Sequence, residues 1–262
     1  MAKVTGSYLI ARTLKEEGVE KVFYLMGGPN FNIMMACQDF GIETIDFRHE
    51  QAAAFAAHAY ARVTGKPGVV AAASGPGTLN LLTGVYTASV DCAPMLILGG
   101  AGPVHEIGRD AFQEVDQTNI MKPLCKYWHQ PTKAARYPEI VSTAYRQAMS
   151  GTPGPVYIDC GADVLYEEIE ESDAVAATHA TRKSVPSGDP AAVKEAIDML
   201  AAAEKPIIFA GGGVFFSGGA AELEKLVDLT RTPFYTAPMS RGLVPEDHVV
   251  SFQAARSTAM RE

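Results

Sequence analysis

The chain has 262 residues, 47% of them hydrophobic and 20% charged, with a formal net charge of −8 at pH 7. That is the composition of a soluble globular protein with room for one large domain or two ordinary ones. The acidic balance argues against nucleic acid or an anionic membrane surface as the main partner. No apolar stretch approaches the ~20 residues of a membrane span. The N-terminus carries acidic residues and reads as an amphipathic helix, not a signal peptide, so a cytoplasmic protein is expected. The cysteines Cys37, Cys92, Cys125 and Cys160 are widely spaced with no CxxC pair and read as reduced thiols.

Residues 5–17 suit a helix, capped by Thr5, with Ile10 and Leu14 on one face and Gly18 closing it. The apolar strand "KVFYL" follows, then the loop Met26-Gly27-Gly28-Pro29 and a helix over roughly 30–40. A strand then runs up to Glu50, followed by an Ala-rich helix over 51–64, a strand over 68–73, the turn Ser74-Gly75-Pro76-Gly77 and a helix over 77–89. The strand "PMLILGG" runs into a loop at 99–118. A helix near 137–149 and the strand "GPVYIDC" complete the block. Short apolar strands alternating with helices predict an α/β fold, a parallel sheet with helices on both faces, over residues 1–165. Residues 166–188 lose periodicity and turn polar, as a linker does. A second α/β pattern occupies 189–262, including the strand and glycine turn "PIIFAGGG". Two or three βα units bury little apolar surface, so this second domain is expected to be truncated.

Two segments stand where chemistry is expected. Ligands of open α/β sheets bind at the carboxyl ends of strands. Glu50 closes one strand and opens a helix, and Ser74-Gly75-Pro76-Gly77 closes the next, its glycines letting a ligand approach the backbone closely. Taken alone, an acid at such a turn reads first as a helix cap or a salt-bridge partner. His49, on an alternating strand, is expected to point to the opposite face from Glu50. The other histidines, His58, His105, His129, His179 and His248, form no metal-ligand spacing, so no metal site is read.

Six motifs occur in order along the chain: Arg48-His49-Glu50-Gln51, Tyr60-Ala61-Arg62-Val63-Thr64-Gly65, Ser74-Gly75-Pro76-Gly77-Thr78-Leu79-Asn80, Ala111-Phe112-Gln113-Glu114, Gly154-Pro155-Val156-Tyr157-Ile158-Asp159 and Arg241-Gly242-Leu243-Val244-Pro245-Glu246-Asp247-His248. Together they resemble the N-terminal half of thiamine-diphosphate-dependent enzymes of the acetolactate synthase group. That group also includes 2-hydroxyacyl-CoA lyase, oxalyl-CoA decarboxylase and benzaldehyde lyase. The resemblance implies that the first domain binds the aminopyrimidine ring of the cofactor. Glu50 would hydrogen-bond ring nitrogen N1′ and favour the imino tautomer, from which a carbonyl-attacking ylide and then an electron sink arise. It implies that Gln113 reaches a reacting centre and donates to a substrate oxygen as charge develops. Gly27 and Gly28 would border the substrate pocket, Ser74, Gly75, Pro76 and Gly77 would shape the turn beside the pyrimidine, and Asn80 would fix that turn.

Two departures qualify the resemblance. Relatives often carry Gly-x-Pro-Gly after the first strand. Counting back from Glu50 without gaps puts Tyr24, Met26 and Gly27 on its Gly, Pro and second Gly, with Pro29 two positions later, so that loop is reshaped. Relatives also bind diphosphate and Mg²⁺ through Gly-Asp-Gly and a following asparagine in a C-terminal domain. This chain has no Gly-Asp-Gly, its one Gly-Asp being Gly188-Asp189 before a proline. The expectation is therefore a fragment, or one half of a split enzyme, that binds the pyrimidine end alone and is inactive by itself. A homo-oligomer or a second chain would supply the diphosphate-binding domain. The implied reaction makes or breaks a C–C bond next to a carbonyl, on a 2-oxo acid in the synthase reading or a 2-hydroxyacyl compound in the lyase and decarboxylase reading. A non-catalytic subunit is the third reading. The Gly211-Gly212-Gly213 turn is open to FAD, CoA or ADP, or to no ligand at all.

Overall fold

A computed structural model describes residues 3–177 and 187–252. The chain divides into two compact units, Met1–Arg182 and Lys183–Glu262.

In the first unit, strand β1 (Lys3–Thr5) leads into helix α1 (Gly6–Glu16), whose first turn is capped by the Thr5 hydroxyl accepting from the Tyr8 N–H. Strand β2 (Lys21–Tyr24), helix α2 (Phe31–Asp39) and strand β3 (Glu43–Asp46) follow. Helix α3 (Glu50–Thr64) is capped by His49, whose ring nitrogen accepts the Gln51 N–H, and is closed by Gly65 in the left-handed region. Next come strand β4 (Gly68–Ala72), helix α4 (Pro76–Asn80), helix α5 (Leu82–Val90) and strand β5 (Met95–Ala101). Helix α6 (Gln117–Met121), capped by Asp116, strand β6 (Tyr127–His129), helix α7 (Tyr137–Met149), strand β7 (Pro155–Gly161), helix α8 (Ala162–Tyr166) and strand β8 (Glu168–Glu170) complete it.

Six of these strands form one sheet in the order β3-β2-β4-β5-β7-β6, with every pair parallel. β4, β5 and β7 are buried along their whole length, because helices cover both faces of a parallel sheet and neither side chain row meets water. One face packs against α1, α2 and α7 around Leu9, Ile10, Leu14, Met34, Val141 and Leu165. On the other, α3 approaches so closely that a Cβ on Gly68 would fall 2.0 Å from the Ala57 carbonyl oxygen. The α3 side chains facing inward are correspondingly small: Ala53, Ala54, Ala57 and Ala61, all fully buried.

Some elements differ from the sequence expectation. The helix expected over 77–89 is two helices meeting at Leu81. The loop expected over 99–118 gives its ends to β5 and α6. β6 was not read from sequence, since Tyr127–His129 is a three-residue edge strand with no apolar run. Residues 168–170, read as linker, pair antiparallel with β1, Lys3 opposite Glu170 and Thr5 opposite Glu168. His49, expected on a strand, is the helix cap and lies in solvent.

The second unit has helix α9 (Pro190–Ala202), strand β9 (Ile208–Ala210), helices α10 (Gly212–Ser217) and α11 (Ala220–Thr230), and strands β10 (Phe234–Thr236) and β11 (Ser251–Phe252). The strands form a parallel sheet in the order β11-β10-β9. Ala210, Leu223, Val227, Phe234 and Val244 make the buried cluster. No residue of α9 is buried, and Val193, Ile197 and Met199 face solvent. Among the described residues no helix is long and apolar enough to cross a membrane.

Candidate functional site

The strand order of the first unit fixes where a crevice opens. From β2 the chain moves to β3 on one side, and from β4 it moves to β5 on the other. The carboxyl ends of β2 and β4 therefore flank a topological switch point, where open α/β sheets take their ligands. The loop after β2 carries Gly27 and Gly28, and the loop after β4 carries Ser74, Gly75, Pro76 and Gly77. Glu50 arrives from the end of neighbouring β3, and Gln113 from the long connection after β5.

Glu50 is the first residue of α3 and only 7% exposed. Its Oε2 accepts a hydrogen bond from Asn80 Nδ2 at 2.9 Å. Its Oε1 faces Gly77, where a Cβ would lie 3.3 Å away. Gly75 adopts φ +56 and ψ −113, a conformation essentially confined to glycine. A Cβ there would also meet the Gln113 carbonyl oxygen at 2.5 Å. Pro76 opens α4, where its fixed φ suits a first helical position. The Ser74 hydroxyl donates to Gln113 Oε1 at 2.9 Å. Gln113 itself has φ +59, and Phe112 beside it is 85% exposed.

Gly75, Pro76, Asn80 and Gln113, with Leu79, Glu114 and Val115, line a cavity of about 510 Å³. Glu50 adjoins it through Asn80. Gly27 and Gly28 are not part of the lining. Gly27 abuts Ala73, with a Cβ there falling 2.1 Å from the Ala73 Cβ, and the buried Asn30 pins it by accepting its N–H at 3.0 Å. Gly28 is exposed and its carbonyl accepts from the Tyr166 hydroxyl.

Glu114 staples the loop that carries Gln113. Its carboxylate accepts the N–H of Gly108 and, at 2.9 Å, that of Ala111. The Gly108 bond, then the Ala111 bond, holds its pKa below the ordinary carboxylate value.

Beneath the Gly75 turn lies a buried polar group that the sequence did not single out. Gln117 accepts the Gly75 N–H and donates toward Gly100, Tyr157 and Asp159. Burial pushes the Asp159 carboxyl up, against the donors Tyr157, Gln117 and Gln130. Burial, then the Asp159 charge, pushes the Tyr157 phenol well above its ordinary value. Gly99 makes room for this cluster, since a Cβ there would strike the Tyr157 hydroxyl at 2.4 Å. No local pattern could have found it: Tyr157 and Asp159 lie two apart on β7, and Gln117 reaches them from the start of α6, 40 and 42 residues away along the chain. Burial also pushes the Cys37 and Cys125 thiols up to about 12, which leaves neither as a thiolate at neutral pH.

A fully parallel sheet with a glycine-walled cavity and a buried carboxyl near its switch point defines an α/β ligand-binding domain. Comparison with known proteins narrows that class. The family model "Thiamine pyrophosphate enzyme, N-terminal TPP binding domain" matches residues 4–120, and "Thiamine pyrophosphate enzyme, central domain" matches residues 193–261. Similar curated proteins include a 2-hydroxyacyl-CoA lyase of Arabidopsis thaliana, 36% identical over 98% of this chain and 46% of that protein. A probable acetolactate synthase large subunit of Methanocaldococcus jannaschii is 39% identical over 93% of this chain and 42% of that protein. An acetolactate synthase of Arthrospira platensis is 36% identical over 95% of this chain and 44% of that protein. The chain belongs to the thiamine pyrophosphate enzymes. It spans less than half the length of each of these relatives.

Proposed function

We propose that the first unit holds the aminopyrimidine end of thiamine diphosphate against Glu50. The observation that carries this reading is the Glu50 carboxyl, buried at the start of α3, held by Asn80 and facing the side-chain-free backbone of Gly77. The residues fit a flat heteroaromatic ring. Gly75, Pro76, Leu79 and Asn80 line the cavity beside Glu50, and Asn80 holds Glu50 Oε2, which leaves Oε1 to meet a ring nitrogen. The cofactor, when bound, supplies the electron sink for chemistry at a carbonyl carbon.

In this reading Glu50 holds or yields a proton at the ring nitrogen it meets, and Asn80 fixes the orientation of its carboxyl. Gln113, oriented by the Ser74 hydroxyl, offers its amide N–H groups to a substrate oxygen. The diphosphate and Mg²⁺ are assigned to residues other than these 262, none of which forms Gly-Asp-Gly. The reaction makes or breaks a C–C bond next to a carbonyl, most simply acetolactate synthesis from 2-oxo acids. The similarity to 2-hydroxyacyl-CoA lyases favours cleavage of a 2-hydroxyacyl compound as the second reading. In the second unit, Gly211 follows β9 at its carboxyl end and Gly212 and Gly213 open α10, a position open to FAD, CoA or ADP, or to no ligand at all.

The test is Glu50→Gln in a complex completed with the diphosphate-binding half. It should slow proton exchange at C2 of bound cofactor by at least ~10²-fold, the scale of a positioned acid–base group. Exchange at the wild-type rate would remove Glu50 from this role. Product analysis with pyruvate and with a 2-hydroxyacyl-CoA separates the synthase from the lyase reading.

A further inference from the structure

Gln117 is 3% exposed. Its Oε1 accepts the backbone N–H of Gly75 at 3.0 Å. Its Nε2 lies 2.7 Å from the Gly100 carbonyl oxygen, 2.9 Å from the Tyr157 hydroxyl and 2.6 Å from Asp159 Oδ1. A backbone carbonyl and a carboxylate can only accept, and a backbone N–H can only donate, so the amide has one workable orientation. The far end is equally constrained. The Tyr157 hydroxyl donates to Asp159 Oδ1, and Gln130 Nε2 donates to Oδ2 at 2.7 Å. Asp159 is thus a fixed acceptor inside the sheet, and Gln117 carries that fixed point outward to Gly75.

The turn it reaches is central to the site. Gly75 sits at φ +56 and ψ −113, a geometry that glycine adopts readily and other residues do not, so a separate contact is needed to hold it there. Upstream, Ser74 orients Gln113. Downstream, Gly77 and Asn80 face the two oxygens of Glu50. A shift of Gly75 would move both sets of contacts.

We propose that Gln117 is a positioning residue: it ties the Gly75 turn to the buried Tyr157–Asp159 pair and so sets where Glu50 and Gln113 stand. Its functional meaning rests on the reading of those two residues given above, while the tether itself is measured without cofactor.

The experiment is residue-resolved amide hydrogen exchange on the full chain. In the wild type the Gly75 amide is protected; rapid exchange there overturns the proposal. Gln117→Met keeps the volume and removes the hydrogen bonds. It should speed exchange at Gly75 by at least ~10-fold, the scale of one lost buried hydrogen bond, with Leu96, Ile97 and Leu98 of β5 unchanged. Equal acceleration at Gly75 and in β5 would mean general loosening and overturn it.

Gln117→Glu decides the matter should Gln117→Met fail to fold. Its carboxyl can accept from Gly75 and donate to Asp159 only while the two acids share a proton. Gly75 protection should therefore survive at about pH 5 and fall away on raising the pH, a dependence absent from the wild type. Protection independent of pH in that variant overturns the proposal. Failure of the Glu50 reading would show separately, as unchanged cofactor C2 exchange in Glu50→Gln.

Discussion

Glu50 and Gln113 differ in how they are held, and that difference governs what each should tolerate. Glu50 is built into a helix start and an Asn80 contact. Gln113 stands on an exposed loop in a left-handed conformation, steadied by Ser74 and by the neighbouring Glu114 staple. The staple depends on charge. Because its backbone donors lower the Glu114 pKa, the folded loop binds that proton less readily than the unfolded chain. The stabilisation is therefore full above the ordinary carboxylate pKa of about 4.3 and is lost as the pH falls through the lower folded value. Protection of the Gly108 and Ala111 amides, taken relative to their intrinsic exchange rates at each pH, should persist at neutral pH and fall only in acid below that range. Glu114→Gln should loosen both amides at neutral pH; if their exchange is unchanged in that variant, the staple does not hold the loop. Glu50, Ser74, Gly75 and Asn80 could be read from sequence because each belongs to a short run around a strand end. Gln117 could not, since its partners lie 40 and 42 residues away along the chain.

Helices α3 and α5 illustrate the reach and the limit of local pattern. Their apolar character is plain in the sequence, yet not how close they come. A Cβ on Gly84 of α5 would fall 2.4 Å from the Ala54 Cβ of α3. Gly84→Ala gains up to ~1 kcal/mol of helix propensity. Overpacking costs about 1–3 kcal/mol, and at this separation one helix must move, so the clash wins. The variant should unfold at lower urea concentration with an unchanged slope. A midpoint equal to or above the wild type would show that the helices are not in such close contact. The short elements β1, β6 and β8 carry no periodicity of their own. β8 exists because Glu168–Glu170 finds β1 as a partner, which no window of residues 166–188 could show.

At the scale of the first unit, apolar side chains remain in solvent on the face beside the cavity. Tyr86 is 59% exposed and Val90 61%, and a groove of about 400 Å³ runs between Leu82, Thr83, Tyr86, Ile120, Pro123 and Leu124. Patches of this kind, beside the cavity, suit an association surface. In the proposed function the occupant is a second copy or the chain that supplies the diphosphate-binding half. Light scattering across a dilution series of the purified chain should show a mass that rises with concentration. Tyr86→Asp should weaken association at least ~10-fold, because it buries an unpaired charge in the contact, without altering the unfolding midpoint at concentrations where the wild type is monomeric. A monomer at every concentration, binding no apolar dye, would refute the interface.

The sequence alone determined the α/β class, the strand and helix succession around Glu50 and Ser74–Gly77, and the family. These follow from signals a few residues long: apolar runs, helix caps, glycine and proline at turns, and ordered motifs. Tertiary structure decided the rest. The order β3-β2-β4-β5-β7-β6 placed the switch point between β2 and β4. The packing of α6 against β7 brought Gln117, Tyr157 and Asp159 together beneath the Gly75 turn. The close approach of backbone to backbone made Gly68, Gly75 and Gly84 irreplaceable in their settings. Each of these depends on which distant segments share a face, and that is settled by packing the whole sheet and its helices at once, not by any residue's own preference.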